Sequence, residues 1–378
     1  MPLPRPRPSH PPIRMAAALF AALAGTSAAA EPGSPDALAT ALAQVPQSAF
    51  QEAKTGPVRF VDLDVVQRLT GKPPARDNLG RVLLAQGIAP LMSLAMAEGD
   101  TWQKDAGIAP DQLAYVAGFG MAPAEFSLWG LRSEADAKTL QAALSERGFT
   151  QRSGILANGE DNAMDLKARA PGNPWRGPMG RTAAVAFQGN TVIQGPAAGA
   201  VRALRSPRHT AAEGPAIVAV EGAASAGGDI VQALVYGPAL GLAPAVDPAI
   251  LRGKTPAAAR EAVAAAMGQN TTGVPPYGAA ALADLQGPEG AALAISLAYE
   301  DCDTAQSAAT IAADLWKTED AAAQGVTATT HASAEACAAV VHIPAGPGEP
   351  NAANPVFQKA LAQFYRRNLT ATRIGAAP

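Results

Sequence analysis

The sequence predicts an α+β protein built from two related halves, each an antiparallel sheet covered by helices. Three observations predict it. First, the stretch from Ala281 to Lys317 is echoed in looser form by Leu113 to Phe149, both reading strand, turn, strand, acidic step, helix. The later copy turns at Gly287-Pro288-Glu289-Gly290 and then runs apolar from Leu293 to Tyr299, broken only by Ser296, as a strand buried on both faces does. The earlier copy turns at Met121-Ala122-Pro123-Ala124, with Phe126 to Leu131 as its second strand. Second, both helices open on capping residues, Ser133 with Asp136 and Asp303 with Gln306, whose side-chain oxygens satisfy orphan amides. Third, their inner faces repeat at helical spacing: Ala137, Leu140 and Leu144 against Ala308, Ile311, Ala312 and Leu315.

The remaining elements follow in chain order. Leu38, Ala39, Leu42 and Ala43 place a short helix in Pro35 to Val45. Val58 to Asp62 reads as a strand, Asp62 or Asp64 caps a helix over Val65 to Thr70, and Gly71 stops it. After the Pro73-Pro74 break, Asn78 to Gln86 and Leu91 to Glu98 read as helices. Asp100 to Asp111 reads as a loop, with Trp102 laid against the body. Ser153 to Asp161 is strand and turn, and Pro171 to Arg181 is a Pro- and Gly-dense loop. Thr182 to Phe187 and Thr191 to Gln194 flank Gly189-Asn190, a two-residue hairpin turn, and Ala197 to Leu204 makes a helix. In the second half, Ala216 to Val220 reads as an apolar strand, and Asp229 reads as the cap of a helix over Ile230 to Leu234. Thr255-Pro256 opens a helix that Gly268 stops. Val326 to His331 and Cys337 to Ile343 read as strands. Asn354-Pro355 starts a last helix with Phe357, Leu361, Phe364 and Tyr365 on one side. These readings divide the chain into residues 1–30, a first α+β domain at 31–205, a linker at 206–215 rich in Pro and polar residues, and a second α+β domain at 216–378.

The leading segment carries a signal-peptide pattern. Arg5, Arg7 and Arg14 are followed by a short apolar stretch from Met15 to Gly25 and by Ala28-Ala29-Ala30, the small-residue pattern of a cleavage site. Met1 and Met15 both serve as candidate starts. Processing would leave a periplasmic or secreted protein, a retained anchor being the alternative, and no later stretch reaches the roughly 18 apolar residues of a membrane span. The formal net charge of -3 supplies no field that would gather nucleic acid or an anionic membrane, so neither is expected as a partner. In an oxidising compartment the two cysteines, Cys302 and Cys337, are expected to form a disulfide.

Candidate sites are few. Glu221 to Asp229 is Gly-rich but lacks both the G-x-G-x-x-G spacing and a P-loop lysine, and Asp229 puts negative charge where a phosphate would sit. His331 and His342, with Asp301 and Asp303, are the candidate metal ligands, at a spacing unlike that of zinc fingers or ribbons. No G-x-S-x-G is present, His209 falls in the linker, and the pairs Asp62/Asp64 and Glu160/Asp161 have the spacing of caps and turns as much as of acid-base chemistry. Trp175, Arg176 and Arg181 form the candidate ligand-binding loop, able to stack and to offer forked hydrogen bonds to an anion, against the alternative that Trp175 pins the loop. No catalytic residue and no cofactor motif emerge. The expectation is a non-enzymatic exported binding or structural protein whose partner is an unspecified protein or small molecule. The alternative is an exported hydrolase or metal-dependent enzyme with its site in a cleft between the halves.

Overall fold

The computed structural model describes residues 35–51, 55–242, 248–255, 258, 259, 261, 262, 265, 273–334 and 336–375. The signal pattern and most of the helix expected from Thr255 to Gly268 lie outside them.

The first strand, β1 (Val58–Asp62), follows a short helix α1 (Pro35–Leu42) and leads into α2 (Leu63–Thr70). Asp62 caps α2 by accepting a hydrogen bond from the Val65 amide at 2.9 Å, and Gly71 ends the helix at φ +66°. Helix α3 (Ala89–Met96) and the short α4 (Thr101–Ala106) come next. The structure thus turns part of the expected 100–111 loop into helix, while the helix expected over Asn78 to Gln86 is only two 3-10 turns. Arg81 explains the second difference: its side chain leaves the segment for a buried carboxylate described below.

A hairpin of β2 (Leu113–Phe119) and β3 (Phe126–Leu131) precedes α5 (Glu134–Glu146), which Ser133 caps through the Asp136 amide. Two very short strands, β4 (Thr150–Arg152) and β5 (Ile155–Ala157), lead to the hairpin of β6 (Ala184–Gln188) and β7 (Thr191–Gly195). Gly189 turns that hairpin at φ +58°, as the Gly-Asn pair predicts. Helix α6 (Ala198–Leu204) follows, and residues 206–215 dock on the turn after α1, where the Ala211 amide donates to the Val45 carbonyl at 2.8 Å.

The next two elements are the reverse of the sequence expectation. Ala216 to Val220 lies in a helix, α7 (Pro215–Ser225), and Ile230 to Leu234 lies in a strand, β8 (Asp229–Tyr236). Short apolar runs do not separate a buried helix from a buried strand by periodicity. Pro215 at the first helical position favours the helix, and Gly227 and Gly228 at φ of about +90° then turn the chain into β8. The Gly-rich segment therefore ends a helix, where the dipole is negative, rather than starting one.

A second hairpin, β9 (Ala279–Gly287) with β10 (Gly290–Tyr299), leads into α8 (Cys302–Glu319). Its cap is Asp301, accepting from the Thr304 amide at 2.7 Å, and not Asp303. The buried face is Ala305, Ala308, Ala309, Ala312, Ala313 and Trp316, so Ile311 and Leu315 flank it rather than centre it. The chain closes with β11 (Thr327–Ser333), β12 (Ala336–Pro344) and α9 (Pro355–Tyr365), whose Phe357, Ala360 and Leu361 are buried while Tyr365 is exposed.

Among the described residues the twelve strands form one sheet in the order β11-β12-β10-β9-β8-β1-β2-β3-β7-β6-β5-β4, every neighbouring pair antiparallel. A separate sheet in each half is thereby corrected: β1 pairs with β8, which leaves no sheet edge at the junction. On one side of that junction the order is β1-β2-β3-β7-β6-β5-β4, and on the other β8-β9-β10-β12-β11. Hydrophobic side chains pack on both faces of the sheet. One face carries α2, α3, α4, α5, α8 and α9, and the other carries α1, α6 and α7. Helix α7 approaches the sheet so closely that a Cβ on Gly222 would lie 2.4 Å from both Ala338 Cβ and Ser296 Oγ.

Buried charge ties the layers together. Arg81 and Asp284, 3% and 0% exposed, are joined through Nη2 and Oδ1 at 2.8 Å and through Nε and Oδ2 at 3.2 Å. Asp284 also accepts from Gln232 Nε2 and Asn354 Nδ2, so β8, β9 and the cap of α9 meet at one carboxylate. Gln232 further donates to the Arg81 carbonyl, and Arg81 reaches the carbonyls of Leu285 and Pro350. Each donor of the cluster is thus matched, as a buried ion pair requires.

Cys302 and Cys337 are joined in a disulfide, with Cα atoms 5.1 Å apart, fixing the start of α8 to β12. Among the described residues no helix is long and apolar enough to cross a membrane.

Candidate functional site

The loop from Pro171 to Arg181 closes over the sheet at β3 and β7. In an antiparallel ladder, residues two apart on a strand share a face. Ser127 and Trp129 of β3 therefore face the same side, opposite Gln194 and Val192 of β7 respectively. Trp175 stacks on Trp129 with ring centroids 4.6 Å apart and planes inclined by 7°, and Trp129 stacks in turn on Trp102 at 6.2 Å. The indole N–H groups all find acceptors: Trp175 the Ala106 carbonyl, Trp129 the Gln194 amide oxygen and Trp102 the Ser93 hydroxyl. Gln194 Nε2 donates to the Pro174 carbonyl at 2.8 Å, and Asn173 Oδ1 accepts from the Trp175 amide at 2.8 Å. The loop is therefore held by backbone and side chain together.

Trp175, Arg176 and Arg181, singled out from the sequence, all line one pocket of about 220 Å³ between this loop, the β2–β3 turn and α3. The face of Trp175 is taken up by Trp129, so the indole serves as a wall. Arg181 pairs with Glu125 at 3.1 Å. Arg176 donates to the Asn158 carbonyl at 3.1 Å and has no carboxylate partner among the described residues. Met92, Met179, Pro123 and Pro178 supply apolar walls. At the floor, the Ser127 residue is 6% exposed and its hydroxyl makes no hydrogen bond among the described residues. That hydroxyl opens into the pocket, where a ligand atom can pair with it. The arrangement suits a small ligand with an apolar body, a hydrogen-bonding group over Ser127 and negative charge toward Arg176.

The other candidates do not converge. The β11–β12 register sets His331 opposite Ala338 and His342 opposite Thr327, four rungs apart, or about 13 Å at the strand rise. Asp301 is occupied in capping α8, Asp303 is exposed in its first turn, and the disulfide removes both thiols from metal chemistry. Among the described residues no three His, Cys, Asp or Glu side chains form a group that could hold a metal. Burial holds the His342 imidazole below its ordinary pKa, against the pull of Glu289. Asp161 accepts from the Ala198 amide and Glu160 pairs with Arg152, so that carboxylate pair is spent on structure. Asp62 differs: burial, aided by the nearby Asp64 charge, pushes its carboxyl up to about 7 against the pull of the Val65 amide and Arg68.

Sequence reading missed the Arg81–Asp284 cluster and the Ser127–Gln194 floor. Single polar residues inside apolar strands, Gln232 in β8 and Asp284 in β9, are the signal that could have found the first. Ser127 and Gln194 lie 67 positions apart and are brought together only by β3–β7 pairing. No family model matches the chain, and neither a curated protein nor a solved structure matches it.

Proposed function

We propose that this chain is an exported, non-enzymatic binding protein that holds a small amphipathic anion in the pocket under the Pro171 to Arg181 loop. The observation that carries the reading is the coincidence, in one pocket, of the Ser127 hydroxyl at the floor, open to a ligand, and the Arg176 guanidinium against methionine and proline walls. Export is supported by the leader pattern of residues 1–30 and by the disulfide, which persists in oxidising compartments. We further read the two halves as related by duplication. The like order of the five strands next to the junction on either side, β1-β2-β3-β7-β6 and β8-β9-β10-β12-β11, and the recurring hairpin, helix, hairpin sequence support this, β5 and β4 being additional on the first side.

Calorimetric titration with hexanoate, and with hexanol as its neutral counterpart, tests the proposal. Hexanoate should bind one site. Arg176→Ala should weaken it about tenfold, the size of one charge-assisted hydrogen bond, and Ser127→Leu should abolish it by filling the floor. Hexanoate binding that neither substitution changes, or no binding at all, would overturn the assignment.

A further inference from the structure

The sheet has two outer strands, and they are treated differently. At one end β4 has only three residues and carries Arg152, the short, charged form that discourages strand addition. At the other end β11 has seven residues, pairs with β12 without a register break, and contains no Pro, Lys, Arg, Asp or Glu. Thr327, Thr329, Thr330 and Ala332 are exposed. Among the described residues no hydrogen bond reaches the outer edge of β11, so its outward amides and carbonyls face solvent.

We propose that a second copy of this chain completes this edge, β11 pairing antiparallel with β11 about a two-fold axis at Thr330. The sequence of the strand, Thr-Ala-Thr-Thr-His-Ala-Ser, selects this occupant. Reversed on itself about Thr330, it sets Thr327 opposite Ser333, Ala328 opposite Ala332, Thr329 opposite His331 and Thr330 opposite its own copy. Thr327 with Ser333 and Thr330 with its copy thus set hydroxyl against hydroxyl, Ala328 meets Ala332, Thr329 can hydrogen-bond the His331 imidazole, and no like charges of Lys, Arg, Asp or Glu are opposed. Such an isologous pair uses both edges at once and closes, whereas an unrelated extended peptide would gain nothing from this self-complementarity. Ser333 also lines a cavity of about 570 Å³ beside Tyr299 and Ala336, so Thr327 of the second copy would sit at its mouth.

Sedimentation velocity of the purified protein tests the proposal, together with Thr330→Lys and Thr330→Cys. The protein should sediment as a dimer. Thr330→Lys, which opposes two ammonium groups across the axis, should weaken the dimer at least about tenfold with the melting temperature of the subunit unchanged. Thr330→Cys should form an intersubunit disulfide on mild oxidation, because directly opposed Cα atoms lie about 4.5–5.5 Å apart. Gln151→Cys on the opposite edge should not. A monomer at the highest soluble concentration would overturn the proposal. So would a dimer that Thr330→Lys leaves intact and Thr330→Cys fails to cross-link. If Thr330→Lys fails to fold, the cross-linking result decides alone.

Discussion

Replacing Asp284 by alanine removes the acceptor at the centre of the buried cluster. Its carboxylate receives Arg81 Nε at 3.2 Å, Arg81 Nη2 at 2.8 Å, Gln232 Nε2 at 3.0 Å and Asn354 Nδ2 at 2.8 Å. Counting four lost bonds would overstate the effect. Gln232 keeps the Arg81 carbonyl, Asn354 keeps the Ala292 carbonyl, and Arg81 keeps Leu285, Gln286 and Pro350. What remains uncompensated is the guanidinium charge, sealed at 3% exposure. Breaking a buried pair in this way costs about 3–5 kcal/mol. Urea denaturation should show that loss as a lower midpoint with an unchanged slope. The double variant Arg81→Met with Asp284→Leu removes both charges and should lie closer to the parent than Asp284→Ala does. A single-variant loss below about 1 kcal/mol, or a double variant that loses the sum of the two single changes, would refute the reasoning.

Two further outcomes follow from groups already placed. Asp62 holds a proton in the folded state up to about pH 7, while its unfolded carboxyl, near 3.8, has already released it. Folded protein therefore binds more protons between those values, so stability falls as pH rises from about 4 to about 7 and is level above, by at most about 4 kcal/mol at about 1.4 per pH unit. Asp62→Asn keeps an oxygen for the Val65 amide and should flatten that slope in urea midpoints taken across the range; parallel curves for the two proteins would exclude the assignment. Replacing both Cys302 and Cys337 by serine frees a loop of sequence separation 35, worth about 3.5–4 kcal/mol in the chain-entropy estimate. Calorimetric melting should register the loss, and an unchanged melting temperature would show that the bridge does not constrain the unfolded chain.

The parts of this fold that were legible in the sequence are those where local chemistry and burial agree. Turn residues and caps announced the β2–β3, β6–β7 and β9–β10 hairpins and the start of α5, and the isolated cysteines announced their bridge. Legibility failed where alanine-rich, evenly apolar segments carry no period. Helix α7 is buried on most sides between the sheet and α1, and β8 is buried along nearly its whole length, so neither shows the amphipathic pattern that separates helix from strand. The cap of α8 was misplaced by two residues because Asp301 and Asp303 are equally able acceptors in sequence. At the candidate site, the loop and its arginines were legible from composition. The floor was not, since the pairing of Ser127 with Gln194 is a property of strand order.

The stacked indoles of Trp102, Trp129 and Trp175 give the molecule an uneven optical signature. Three of its four chromophores of this kind sit in one π-stack on the amino-terminal side of the junction, coupled closely enough for exciton splitting in the near-ultraviolet circular dichroism. The fourth, Trp316, lies alone on the carboxy-terminal side, beneath the Lys359 ammonium at 5.7 Å. Spectroscopy with Trp316→Phe would therefore follow one flank of the sheet, and the difference from the parent would follow the other, without any introduced label.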